Sequence, residues 1–266
     1  MRTGAGATRF AQVFSNTRPL IGVVHLPPLP GFAGSPGMSA LVAHALADLD
    51  VMEACGLDGV LVENEHDRPH RVLAERETVA ALTAVMREMV RAAEVPVGAE
   101  ILLNDPEASL AVALASGAAF VRTDYFVDPM ARPEHGVMRI DPDAVMAYRT
   151  RIGADHLLLL ADVQVKYACM LEPRSLETSA RLARDKGADA IVVSGLRTGS
   201  PPSPAELAEA ARGAGHVPVL VGSGLDPANA ASLLGVCGGA IVGTSLHRDG
   251  RADRTRTREL ERARPR

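Results

Sequence analysis

Asp162, Gln164 and Lys166 alternate with valines in Asp162-Val163-Gln164-Val165-Lys166, so an extended backbone would put all three polar side chains on one face. A carboxylate and an ammonium on one face can act together. The carboxylate serves as general acid or base, and the ammonium stabilises developing negative charge or tunes its neighbour. A Schiff-base role for Lys166 would also need a desolvated pocket. The lysine is conspicuous because the chain has 28 basic residues and only Lys166 and Lys186 are lysine. Arg cannot be tuned in this way, so a lysine retained among arginines suggests a task. The plainer alternative is an ion pair between Asp162 and Lys166 at the rim of a fold.

Other reactive residues fall at or near the ends of apolar runs. His25 closes one run. Glu63 and Asn64 close a second, Glu100 lies in a third, Arg122 and Asp124 in a fourth, and Ser194 ends another. Carboxylates are too costly to bury unpaired, so their recurrence at these ends argues for a polar site. Glu100 would need Arg122 or Lys166 as a partner. Gly222-Ser223-Gly224 and Gly243-Thr244-Ser245 follow the last two runs. Small residues there would let backbone N–H groups and hydroxyls approach a phosphate. Asp67 reads as a turn cap, and Tyr125, His66 and His70 as loop residues. His25, Glu63, Glu100, Asp124 and Asp162 could hold a divalent cation only if three of them converge. No metal-ligand spacing appears, and no cofactor is expected.

The elements that must position these residues repeat one phrase. A helix-like stretch stops at glycine and runs into an apolar strand, at Gly56, Gly117, Gly153, Gly187 and Gly238. Eight strands are predicted, over Leu20–Leu26, Gly59–Asn64, Val95–Leu102, Phe120–Phe126, Leu157–Val163, Ala190–Ser194, Val217–Gly222 and Ala240–Thr244. Most are continuous apolar runs, as parallel strands covered by helices require. Helices are predicted over Ala40–Cys55 and Thr78–Ala93, with others starting at Asp105-Pro106, Asp141-Pro142, Ser203-Pro204 and Asp226-Pro227. Eight strand–helix units point to an α/β fold, a closed (β/α)8 TIM barrel in a single domain, with its chemistry at the C-terminal strand ends. An open doubly wound sheet is the alternative, but no Gly-x-Gly-x-x-Gly follows the first strand. The expected layout is an N-terminal segment over 1–18, the barrel over 19–247, and a C-terminal helix with a basic tail over 248–266. Residues 127–139 read as an irregular loop over the mouth.

The 266 residues are 47% apolar and carry a net charge of -4, which argues against a nucleic-acid partner. No apolar run is long enough for a membrane span, and Met1 to Phe10 has no signal-peptide stretch. Cys55, Cys169 and Cys237 are scattered, which suits a reducing cytoplasm. The sequence leaves a homo-oligomer open.

These motifs together resemble the BtpA/SgcQ family. Gly22-Val23-Val24-His25-Leu26-Pro27-Pro28-Leu29-Pro30-Gly31 is similar to its opening motif, and Asp58 to Asn64 with Asp67 and Pro69 to its second. Asn104-Asp105, Asp162 to Lys166, Ser194-Gly195, Thr198-Gly199, Val221 to Gly224, Gly243 to Leu246 and Asp249-Gly250 extend the match. The chain departs from the pattern at Glu100, where many members have Asn, and at Leu103, Glu65-His66, Tyr167 and His247. The resemblance implies a TIM barrel. One branch is associated with stabilising photosystem I, and another, among sugar-metabolism genes, is read as a nucleosidase. Residues and resemblance together lead to an expected enzyme acting on a small phosphorylated, sugar-like or nucleoside-like molecule. Its catalytic residues would be drawn from Asp162, Lys166, Glu63, Glu100, Asp124 and His25. Asn64, Arg122, Gln164, Ser194 and the two glycine turns would bind substrate. The alternative is a non-catalytic assembly or stability factor.

Overall fold

The predicted alternation of strand and helix forms a closed ring. A computed structural model describes residues 8–265, so residues 1–7 of the N-terminal segment and Arg266 of the tail lie outside the described part. The barrel strands are β1 (Leu20–His25), β2 (Gly59–Glu63), β3 (Val97–Glu100), β4 (Phe120–Thr123), β5 (Leu158–Val163), β6 (Ala190–Val193), β7 (Val219–Val221) and β8 (Ala240–Val242). Each pairs in parallel with the next, and β8 closes onto β1 with Leu20 opposite Ala240. The helices are α1 (Arg9–Val13), α2 (Met38–Ala54), α3 (Arg76–Ala92), α4 (Pro106–Ser116), α5 (Pro142–Arg151), α6 (Leu176–Asp185), α7 (Pro204–Ala214), α8 (Ala230–Leu234) and α9 (Arg254–Ala263).

Local chemistry sets the boundaries. Asp105 and Asp141 cap α4 and α5 ahead of a first-turn proline, and Ser203 with Glu206 forms a capping box on α7. Gly117 ends α4 in the left-handed conformation, at φ 82°. The helix expected at Asp226-Pro227 begins later, at Ala230. Asp226 is spent on a turn, its Oδ1 accepting from the Ala228 and Asn229 N–H groups.

Inside the barrel the lower layers are apolar. Ile21, Val23, Leu61, Phe120, Leu158, Leu160, Val192, Leu220 and Ile241 pack with Phe10 and Phe14. The N-terminal segment thus closes the bottom, with Phe14 5.5 Å from the Phe120 ring. Gly98 makes room for that ring, since a Cβ there would lie 2.1 Å from Phe120 Cε2. Gly98→Ala is expected to cost about 1–3 kcal/mol through overpacking, read as a lower urea midpoint at unchanged slope. An unchanged midpoint would refute the assignment.

Residues 127–139 are not irregular. Met130–Arg132 pairs with Gly136–Met138 and with Cys169–Met170 in a small antiparallel sheet, which ties the loop after β4 to the loop after β5. The basic tail is also ordered. Thr257 and Leu260 of α9 are buried, and Arg264 donates to Asp58 Oδ2 while Arg251 donates to Asp48 Oδ1.

Candidate active site

Above the apolar layers, the next inward positions are charged. Strand register sets His25 beside Glu63 and Glu63 beside Glu100. Arg122 rises from β4 into the middle of this ring. Its Nε donates to Asp162 Oδ2 at 2.7 Å and its Nη2 to Asp162 Oδ1 at 3.0 Å. Its Nη1 lies 3.2 Å from Glu63 Oε1 and 3.5 Å from Glu100 Oε2. One guanidinium therefore serves three carboxyl groups, with the bidentate face given to Asp162.

These groups differ in charge state. Burial works against the charge of Arg122, but Asp162 and then Glu100 and Glu63 push its pKa well up. Burial also pushes Glu63 up, yet Arg122 and His25 outweigh it and hold Glu63 below its ordinary value. Burial raises Glu100 far above its ordinary value, and Glu63 and Asp124 add to the rise against Arg122. Of the two adjacent carboxyls, Glu63 is the one pushed toward the ionised form and Glu100 the one pushed toward the protonated form. Glu100 Oε2 is buried and makes no hydrogen bond. Asp124 is buried as well, and burial together with the Asp162 charge pushes it up to about 7.

Glu63, Glu100, Arg122, Asp124 and Lys166 line a cavity of about 570 Å³ at the C-terminal end of the strands. The small sheet flanks it through Arg132, Pro133 and Glu134 and leaves it open. Lys166 lies at this mouth, and among the described residues it has no carboxylate within ion-pair distance. The pairing with Asp162 or Glu100 considered from the sequence is absent because Arg122 already holds both carboxyl groups.

A neighbouring cavity of about 330 Å³ is lined by His25, Gly222, Ser223, Gly224, Gly243, Thr244 and His247, and also by Glu63 and Lys166. Burial holds His25 down at about 4, with Glu63 opposing, so its ring is neutral. It stacks on His247 at 4.7 Å, and His247 Nδ1 is 2.9 Å from the Gly243 carbonyl. His247 was visible in the sequence only as a departure from the family pattern. His66 joins this wall through Leu26, whose carbonyl lies 2.8 Å from its Nδ1.

Several expected binding residues are committed elsewhere. Alternation over 162–166 breaks where β5 ends, because Gln164 takes a left-handed φ of 50°. Its Nε2 donates to the Arg174 carbonyl and Ser179 Oγ, so Gln164 holds α6 and does not face the barrel interior. Asn64 is buried, donates to Asp67 Oδ2 and the Leu102 carbonyl, and accepts from the Leu102 N–H. It braces two loops and lines neither mouth cavity. Ser194 Oγ lies 3.3 Å from Asp162 Oδ1 and orients that carboxylate. Ser223 accepts from the Gly195 N–H and donates to the Ser200 carbonyl, and Ser245 donates to the Leu225 carbonyl. Of the hydroxyls in the glycine turns, Thr244 alone is unspent among the described residues. Gly222 is required by packing, since a Cβ there would lie 2.5 Å from Ser194 Oγ.

Among the described residues, no group of three His, Cys, Asp or Glu side chains is placed to hold a metal ion. Arg122 occupies the position a cation would take among the carboxylates. No helix of the described residues is long and apolar enough to cross a membrane.

The sequence pattern described as the BtpA family matches residues 16–264. The chain belongs to the BtpA family. A relative from Synechocystis sp., named photosystem I biogenesis protein BtpA, is 36% identical over 242 residues, covering 90% of this chain and 84% of the relative. An uncharacterized protein from Archaeoglobus fulgidus is 37% identical over 244 residues, covering 92% and 97%. Among solved structures, a Mycobacterium tuberculosis tryptophan synthase chain superposes with a TM-score of 0.62 at 20% identity, covering 97% of this chain and 98% of that one. That likeness concerns the fold.

Proposed function

We propose that this BtpA-family barrel is an enzyme acting by general acid/base chemistry on a small phosphorylated molecule, sugar-like or nucleoside-like. The observation that carries this reading is Asp124. It is a buried carboxyl that lines an open cavity, makes no side-chain hydrogen bond among the described residues, and titrates at about 7. A group with that value exchanges protons at neutral pH without a large energetic penalty in either direction. Asp162 is a poorer base, because Arg122 and Ser194 occupy its oxygens. Its role is to fix Arg122 and to raise Asp124. The protonated Glu100 can donate a hydrogen bond to a substrate oxygen. Lys166 supplies a positive charge for an oxygen that gains negative charge during reaction. Cleavage of a glycosidic bond and proton transfer beside a carbonyl both fit this donor set, so hydrolase, lyase and isomerase chemistries share the reading. Fold alone supplies no choice among them.

A second reading, a non-catalytic assembly factor, is favoured by the name of the Synechocystis relative. The two separate on turnover. The protein and its Lys166→Met variant would be assayed against a panel of sugar phosphates and nucleotides. We expect turnover by the protein and a loss of about 100-fold or more in the variant, the scale seen when one charge-stabilising group is removed. Its melting curve should be unchanged within about 0.5 kcal/mol, because Lys166 leaves no carboxylate unpaired. A variant as active as the parent would sink the role of Lys166, and no turnover across the panel would favour the assembly reading.

A further inference from the structure

Arginines line the mouth cavities and their neighbours, but almost all are committed. Arg122 is held by Asp162, Arg68 by Glu65, Arg132 lies 3.6 Å from Glu134, and Arg174 lies 3.7 Å from Asp128. The exception is Arg256, on the first turns of α9. It lines a small cavity of about 200 Å³ with Gly224, Gly243, Thr244 and Asp226. Among the described residues its guanidinium makes no hydrogen bond or ion pair. Two acids lie three residues away: Asp253 is already engaged by Arg248 at 3.3 Å and by the Arg256 backbone N–H at 2.9 Å, and Glu259 makes no ion pair with Arg256 among the described residues. Asp226 brings a negative charge to the same cavity, but its Oδ1 is turned to the Ala228 and Asn229 N–H groups.

The small cavity is continuous with the site. It shares Gly199, Gly224, Gly243 and Thr244 with the 330 Å³ cavity, which shares Glu63, Arg122 and Lys166 with the larger one. The three cavities therefore adjoin in a row, with Asp124 at one end and Arg256 at the other. At the first end the positive charges of Arg122 and Lys166 face several carboxyl groups, so an anionic group of a ligand finds no net attraction there. The second end offers an uncommitted guanidinium, a free Thr244 hydroxyl and glycines that let a ligand approach the backbone.

We propose that the C-terminal helix supplies the anion-binding cation of this protein, Arg256 receiving the phosphate of a monophosphate ester seated against Gly224, Gly243 and Thr244. This rests on the enzymatic reading for the ligand's other end, which lies among Glu100, Asp124 and Lys166. It restricts the substrate class to molecules with the phosphate remote from the reacting carbon. A phosphate that is itself the reacting group would have to sit among the carboxylates. Arg256 is a binding residue in this scheme and takes no part in proton transfer.

Gly224 is a poor handle for a test. A Cβ there would lie 2.3 Å from Pro201 N, so any side chain would disturb the loop itself. Arg256 is exposed and unpaired, and its truncation should leave the fold intact. Inorganic phosphate would be titrated by calorimetry into the full chain and its Arg256→Ala, Arg256→Lys and Lys166→Met variants, at two salt concentrations. We expect Arg256→Ala to weaken binding about tenfold or more, as loss of a hydrogen bond to a charged group does. Arg256→Lys should recover part of the affinity, and Lys166→Met should weaken binding less than Arg256→Ala does. Unaltered binding by Arg256→Ala, binding lost only in Lys166→Met, or no binding by the parent would each overturn the proposal. The acid–base reading stands or falls separately, on the pH profile of Asp124. With a turned-over substrate, Arg256→Ala should raise KM for the phosphorylated form and leave the pH profile unmoved. A shifted profile would place Arg256 in the proton-transfer machinery and refute its assignment as a pure anion site.

Discussion

Arg122→Met is expected to cost the fold about 3–5 kcal/mol at pH 8, the scale found when one partner of a buried ion pair is removed. The variant would leave the Asp162 and Glu63 carboxyl groups buried without their cation, and would remove the guanidinium beside Glu100. Methionine keeps most of the volume, so cavity formation contributes little. The loss should shrink toward pH 5, because unpaired buried carboxyls take up protons at higher pH and then need no partner. Urea melts at the two pH values give the test. Arg122→Lys should rescue only a fraction, since an ammonium cannot reproduce the two-point contact with Asp162. A loss below about 1 kcal/mol that is the same at both pH values would mean that Arg122 does not hold the cluster together.

The barrel was legible because it is built from local signals. Parallel strands covered by helices must be continuously apolar, and helices that turn straight into strands need a residue tolerant of positive φ, as at Gly117. Strand ends were read two or more residues too long in places. Val95–Leu102 contracts to Val97–Glu100, because apolar character continues into loops that leave the barrel wall. The charged layer was also legible, since inward positions recur every second residue along each strand. What could not be read was how the charges pair. Lys166 appeared to be the natural partner of the carboxylates, yet Arg122 reaches three of them from the centre, a matter of side-chain length and height in the barrel.

The other misplacements share one cause. Gln164 continues an alternating pattern on paper, but the chain turns at φ 50° and its amide goes to α6. Ser223 and Ser245 look like phosphate donors, yet their hydroxyls bond to loop carbonyls that are distant in sequence. The same holds for Asn64 and Leu102. Loop backbone needs partners as much as a ligand does, and polar side chains at strand ends are the nearest supply. Arg256 and the plug formed by Phe10 and Phe14 depend on how the two chain ends fold back over the barrel. Two of the chain's five phenylalanines spaced four apart ahead of the first strand were the available hint for the plug.

Asp124 gives the sharpest expectation, because one substitution should move stability and activity in opposite directions. Its folded pKa of about 7 lies above its ordinary value of 3.8, so the folded state holds a proton that the unfolded chain has released. The stability contributed by that proton is complete below about pH 4 and is lost as pH rises through about 7. Asp124→Asn is neutral at every pH and escapes that loss. Its stability advantage over the parent should therefore grow by about 2–3 kcal/mol between pH 5 and pH 8, with Asp162 relieved of a like-charged neighbour as well. Turnover should fall in the variant by about 100-fold or more, the weight of a general acid/base group. In the parent, a base at this position gives a rate that rises with pH through about 7, and an acid gives the mirror image. Either limb should vanish in the variant. Thermal melts across pH 5–9 and a pH–rate profile on the same two proteins make the test. A variant whose stability advantage over the parent does not grow between pH 5 and pH 8, or one that keeps the limb near pH 7, would remove Asp124 from the mechanism and leave Glu63 and Lys166 to account for proton transfer.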